Sequence, residues 1–212
     1  REKIGPFHQS GRRWAQRPTQ VFDHDFPSDA KGVAIPYGIY DLSRNEGFVC
    51  VGTTCDTSEF AVDSIRTWWS RAGSNHYPHA DRLLILADSG GSNGYRIRLW
   101  KHSLHTDFCN RVGLQVKVCH YPPGSSKWNP IEHRMFSFIS RNWAAHPLRD
   151  YETVLKFIRT TKTSAGLKIR AMLNTKRYQN GKKVSKEQMD QIALKQYTQR
   201  PFWNYSISPS KM

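Results

Sequence analysis

The sequence predicts an α/β fold of three layers with a mixed central sheet, and three observations lead there. Two apolar, β-branched and aromatic runs, "AIPYGIYDL" (34–42) and "GFVCVGTTC" (47–55), are separated by "SRNE", the pattern of a β-hairpin. "RLLILAD" (82–88) is a short continuous apolar run, the kind that forms a strand buried on both faces. Stretches of helical periodicity alternate with these runs, and strands interleaved with helices pack as a sheet covered by helices.

Taken in order, residues 1–32 are rich in Gly, Pro, Arg and His and read as an extended basic segment without a core, closing in the loop "DFPSDAKG". Pro36 suits the beginning or edge of a strand. After the hairpin, Asp56 and Glu59 make a D-x-x-E capping pattern. The helix it opens carries Ala61, Ile65, Trp68 and Trp69 on one face and stops at Gly73. "SGGSNG" (89–94) ends the 82–88 strand, and Asn93 can cap a helix reaching Cys109 with Ile97, Trp100 and Leu104 along it. "LQVKVCHY" (114–121) is a further strand. The loop "PPGSSKWNP" leads into a helix over 130–143, whose Ile131, Met135, Phe138 and Ile139 are expected to face the sheet. From Pro147 onward, helical patterning in "YETVLKFIRTT" and "SKEQMDQIALKQ" is interleaved with the basic loop "NTKRYQNGKKV". The chain thus divides into a basic extended segment (1–32), an α/β core (33–146) and a helical, basic C-terminal extension (147–212).

Charge narrows the partner. Among 212 residues, 32 Lys and Arg oppose 17 Asp and Glu, a formal net charge of +15, which points to a polyanion, with nucleic acid ahead of ribosomal or anionic-lipid surfaces. The four cysteines, Cys50, Cys55, Cys109 and Cys119, contain no C-x-x-C pair and are too few for a disulfide scaffold, so they are expected to be reduced. No apolar run approaches the ~18 residues of a membrane span, and no leader opens the chain; a cytoplasmic protein off the membrane is expected. The chain begins at Arg1 on a polar stretch, so an upstream segment is also expected.

Two acidic residues are candidates for chemistry. Asp88 ends the buried run directly before a glycine-rich turn, where α/β sheets place reacting groups, although an acidic residue there can equally cap the turn. Glu132 follows Asn129 as N-cap and Pro130 in the first helical position, so its side chain can reach back to the Asn129 N–H as a capping box. That local role competes with metal binding. Two carboxylates suit a hard cation such as Mg²⁺, and two such ions ~3.5–4 Å apart can stabilise the attacking and leaving oxygens of a phosphodiester displacement. The glycine turn offers a rival reading as a nucleotide cradle, but it has neither G-x-x-x-x-G-K-[ST] nor G-x-G-x-x-G. His76 with His79, and His102 with His105, have ligand-like spacing but lack further ligands for zinc, and are read as surface or phosphate-contacting residues.

"LLILADSGGSNGYRIRLWK", "VCHYPPGSSKWNPIEHRMFSFIS", "TTKTSAGLKIRAML" and the terminal "WNYSISP" resemble the DDE transposases of bacterial insertion sequences, specifically the ISAzo type. The likeness extends over "AIPYGIYDL", "NEGFVCVG" and "DTSEFAVDSIRTWW" and covers nearly the whole chain. It implies an RNase H-like fold for the 33–146 core, with Asp, Asp and Glu binding Mg²⁺ (or Mn²⁺) for DNA cleavage and strand transfer. The partners implied are insertion-sequence ends and target DNA in the bacterial nucleoid, and a homo-oligomer assembled on DNA is allowed. Asp88 matches the second Asp and Glu132 the Glu. Lys127, Trp128, Asn129 and Arg134 flank Glu132 as candidate DNA or active-site contacts. The first Asp of the family pattern would fall before residue 1; Asp41, Asp23 and Asp25 are weaker substitutes. A non-catalytic DNA-binding remnant of such an element is the alternative.

Overall fold

The computed structural model describes residues 1–22 and 27–210; Asp23 and Asp25 therefore lie outside the described residues. The first half of the chain supplies β1 (Glu2–Ile4), β2 (Gly32–Asp41), β3 (Glu46–Gly52), α1 (Ser58–Trp68), α2 (Ser74–His76), β4 (Arg82–Ala87), α3 (Arg98–Ser103) and α4 (Asn110–Val112). The second half supplies β5 (Gln115–His120), α5 (Ser137–Asn142), α6 (Tyr151–Thr160), β6 (Lys168–Asn174), α7 (Lys186–Asp190), β7 (Leu194–Gln196) and β8 (Asn204–Ile207). The fold is mixed α/β. Its strands form two four-stranded mixed sheets rather than one central sheet, in the orders β1-β2-β3-β6 and β4-β5-β8-β7. Each sheet belongs to one of two compact units, the first made of Arg1–Thr54 and Pro130–Arg177, the second of Cys55–Asn129 and the chain from Tyr178.

In the first unit the expected hairpin is β2–β3, antiparallel with Asp41 opposite Glu46. Its turn is closed by Asp41, whose Oδ1 accepts from the N–H groups of Ser43 and Arg44, and by Asn45 at φ 53°, a left-handed position that Asn tolerates. Asp41 is thus occupied as a turn-closing side chain. β6 joins β3 in parallel, Glu46 opposite Lys168. α6 is capped by Asp150, which accepts from the Thr153 N–H at 2.7 Å, and it buries Val154, Leu155 and Ile158, each worth ~1.5–3 kcal/mol of transfer free energy. The N-terminal segment does carry core: Ile4 and Phe7 are 2% and 3% exposed, because β1 pairs with β2 and draws Ile4 inward.

The helix after Asn129 begins at residue 130, as expected, but passes through a π-helical turn, Glu132–Phe136, before α5. The wider turn advances the register, so Met135 and Ile139 are buried, Ile131 and Phe136 pack on the core, and Phe138 lies instead against Arg141. Phe136 takes the place the regular periodicity assigns to Phe138.

In the second unit, α1 is capped by Thr57, which accepts from the Phe60 N–H, one residue later than the D-x-x-E pattern suggests. The helix runs past Gly73 through π-helical Trp69–Gly73 into α2. α3 starts at Arg98 without a side-chain cap, and Asn93 lies in a 3-10 turn, Gly91–Asn93. β4 pairs with β5 in parallel and forms one edge of its sheet. Leu84 and Leu86 are 57% and 40% exposed, so the continuous apolar run is not buried on both faces. The C-terminal stretch contributes not only helices but β7 and β8, with β8 antiparallel to β5. No helix among the described residues is long and apolar enough to cross a membrane.

Candidate active site

Asp88 follows the last residue of β4, at the carboxyl end of a parallel strand pair, which is where open α/β sheets present reacting groups. Its carboxylate is oriented: the Asn129 side-chain N–H donates to Oδ1 at 3.1 Å. Asn129 is only 6% exposed, so this amide is turned into the unit beside the carboxylate. Asp88 itself is half-buried.

The backbone of Asp88 is held as well. The ladder between β4 and β5 ends with the Tyr121 N–H donating to the Ala87 carbonyl at 2.8 Å. The next carbonyl, that of Asp88, meets Nδ1 of His120 at 2.8 Å. His120 Nε2 is 3.0 Å from the Tyr205 hydroxyl, and the Trp100 indole N–H donates to the same hydroxyl at 2.9 Å. Burial lowers the His120 pKa, opposed by its bond to the Asp88 carbonyl, and burial raises that of Tyr205. Burial and then the Asp88 charge raise the neighbouring Tyr121. In the sequence Trp100 stands only as an apolar position of a helix, and neither His120 nor Tyr205 is marked as a site residue. A His closing the strand beside the one that ends in Asp88 was the available signal.

The glycine-rich turn after Asp88 is closed partly by its own backbone. Gly94 N–H donates to the Gly91 carbonyl and Ile97 N–H to the Gly94 carbonyl, both at 3.1 Å, while Ser58 Oγ donates to the Ser92 carbonyl at 2.5 Å. Gly91 sits at φ 74°, a left-handed conformation that favours a residue without Cβ. Because α3 begins only at Arg98, the turn does not open directly into a helix as phosphate cradles do. A cleft of about 330 Å³ lies along it, lined by Gly90, Gly91, Tyr95, Arg96 and Pro123 among others.

Lys127 and Trp128 lie just before Asn129 in a 3-10 turn. Trp128 is 69% exposed, with the Lys127 ammonium 5.3 Å from its ring centroid. Glu132, in the first unit, is the first residue of the π-helical turn and is half-buried; Arg134 on the same turn is exposed. Of the histidines read as surface residues, His105 departs from that reading: it is 5% exposed, packed within the second unit on π-helical Leu104–Cys109. Among the described residues no group of three or more His, Cys, Asp or Glu side chains could hold a metal ion.

The chain is basic and mixed α/β, with an oriented carboxylate at a strand end. Residues 1–209 match the family described as the Rhodopirellula transposase DDE domain, and the chain belongs to this family of insertion-sequence-type DDE transposases. No curated protein and no solved structure matches it. Membership identifies a transposition protein of the nuclease and transferase class, with DNA as the substrate of the family and divalent metals as its general requirement.

Proposed function

We propose that this chain catalyses metal-dependent DNA cleavage and strand transfer for the movement of an insertion sequence, on an RNase H-like scaffold, with the carboxylates of Asp88 and Glu132 as the catalytic groups it supplies. The observation that carries the reading is the Asp88 carboxylate at the end of β4, oriented by the buried Asn129 amide. An oriented carboxylate fits Mg²⁺ or Mn²⁺, since Mg²⁺ is bound through one or two carboxylates together with substrate phosphates and water. When bound, the ions supply stabilisation of the attacking and leaving oxygens of the phosphodiester. The chain's own part is to hold carboxylate oxygens in fixed directions and to grip the DNA. Exposed Lys127, Trp128 and Arg134 suit the grip, by phosphate attraction and by stacking on an unpaired base, and the net charge of +15 favours encounter with DNA. Assembly of several copies on the element's ends belongs to the same reading.

The test is cleavage and joining of DNA bearing the element's ends, with Mg²⁺ or Mn²⁺, by protein from the complete reading frame that encodes this chain. Activity lost in both Asp88→Asn and Glu132→Gln supports the assignment, and activity surviving either substitution rejects it. The second reading is a non-catalytic DNA-binding remnant of such an element, carried by the basic charge alone. It expects DNA binding without cleavage, indifferent to both substitutions.

A further inference from the structure

Asp88 has a second support, on its backbone rather than its carboxylate. Donor chemistry fixes the direction of every bond in it. A carbonyl oxygen carries no hydrogen, so the contact between the Asp88 carbonyl and His120 Nδ1 at 2.8 Å requires the hydrogen on Nδ1, which leaves Nε2 of the neutral ring as an acceptor. The Tyr205 hydroxyl therefore donates to Nε2 across 3.0 Å, and its oxygen accepts from the Trp100 indole, which can only donate. The result is a one-way chain, Trp100 to Tyr205 to His120 to the Asp88 backbone, in which each N–H and O–H is used once. Trp100, Tyr205 and His120 are 0%, 1% and 6% exposed, so water does not compete for these bonds, and a missing link leaves its neighbours unpaired in a dry interior.

The chain also sits where the strand ladder stops. Ala87 is opposite His120 in the β4–β5 register, and the backbone bonds of the pair end at the Ala87 carbonyl. The imidazole extends the grip by one residue, to the one that bears the carboxylate. Tyr205 is opposite Val118 on the antiparallel strand β8, and alternate residues of a strand share a face, so Tyr205 and His120 lie on one side of the sheet. Their rings are 5.7 Å apart.

We propose that Trp100, Tyr205 and His120 are positioning residues for Asp88: they fix the backbone from which its carboxylate projects, while Asn129 fixes the carboxylate itself. The proposal rests on the reading of Asp88 as a metal-binding carboxylate. Groups that orient a metal ligand from behind commonly change metal affinity about 10–100-fold when removed.

Calorimetric titration of the full-length protein with Mn²⁺ alone tests it, with thermal unfolding run alongside. Tyr205→Phe, which removes a single oxygen, and His120→Leu are expected to weaken Mn²⁺ binding about tenfold or more. His120→Asn, whose side-chain N–H can occupy the place of Nδ1, is expected to recover much of the loss relative to His120→Leu. If His120→Leu does not fold, Tyr205→Phe against wild type decides. Unchanged Mn²⁺ affinity in Tyr205→Phe and His120→Leu, with Asp88→Asn abolishing binding, overturns the relay and leaves the reading of Asp88 intact. Unchanged affinity in Asp88→Asn overturns that reading and the relay with it.

Discussion

Asn129 Nδ2 donates to Asp88 Oδ1 at 3.1 Å, joining residues 41 positions apart in the chain. The bond ties the loop that precedes residue 130 to the end of β4, and it leaves one carboxylate oxygen outside that contact's direct donor. A bare carboxylate at a strand end can rotate; this one has a preferred orientation.

Asn129→Ala is therefore expected to lower DNA cleavage about 10–100-fold, the usual cost of losing an orienting partner, while DNA affinity stays near wild type. Asn129→Asp keeps the shape but faces Asp88 with a second carboxylate, so it is expected to be at least as damaging, through like-charge repulsion. Gel-shift binding and cleavage assays on the same preparations check both, and wild-type cleavage by Asn129→Ala removes the orienting role.

Lys127 and Trp128 are exposed neighbours, so their loss should leave the fold alone. Trp128→Ala is expected to weaken single-stranded DNA binding by about 1–3 kcal/mol, the usual worth of one stacked base. Lys127→Ala is expected to reduce the slope of log affinity against log salt by about one phosphate's worth. Fluorescence anisotropy across a salt series reads both effects. A Trp128→Ala affinity equal to wild type would show that the ring does not stack on DNA.

A side chain on Gly38 of β2 would force its neighbours to move. A Cβ there would lie 2.5 Å from Phe136 Cζ and 2.6 Å from Met135 Cε, on the helix that packs this sheet. Gly38→Ala is expected to cost about 1–3 kcal/mol, as overpacking a filled core does. Urea unfolding measures it as a lower midpoint; an unaltered midpoint would mean the helix yields without strain.

His105 makes stability depend on acid. It is buried, its Nε2 lies 3.2 Å from Ser210 Oγ, and Nδ1 has no hydrogen-bond partner among the described residues. Burial, and to a lesser degree His102, hold its pKa below the ordinary 6.5. The folded chain therefore resists a proton that the unfolded chain accepts, and the unfolded state binds more protons as pH falls below that value. Stability is expected to be retained above pH 6.5 and lost as pH falls toward the lowered folded value. His120, also buried with a lowered pKa, adds a contribution of the same sign. Urea midpoints across this range should fall with acid in wild type and fall less in His105→Leu; identical pH dependence in the two proteins refutes the assignment.

Much of the local structure was legible in the residues. β2, β3, β4 and β5 fall where the apolar runs predict, and the helix after Asn129 starts at Pro130, because apolar patterning and turn residues act over a few neighbours; the expected caps did not hold, with Thr57 in place of Asp56 and no side-chain cap on α3. Asp88 at a strand end and Glu132 on the first helical turn follow from the same local rules, and the motifs around them carried the family. Phe138 was misassigned because a π-helical turn changes the register in a way that 3.6-residue periodicity cannot register. Leu84 and Leu86 were misassigned because a continuous apolar run does not say whether both faces of its strand are covered.

By itself, then, the sequence determined which segments become strands and helices, the basic charge, and the carboxylates on offer. Only the tertiary structure decided that β6 joins β3 and β8 joins β5, since long-range pairing depends on which strand edges remain available once the chain has collapsed, and no nearby residue encodes that. The same holds for the surroundings of Asp88. Its carboxylate is set by an amide 41 positions away, and its backbone by a buried chain whose Trp100–Tyr205 link spans 105. Those bonds exist because folding brings the groups together, and the buried Trp100, Tyr205 and His120 find partners in one another as buried polar groups generally do.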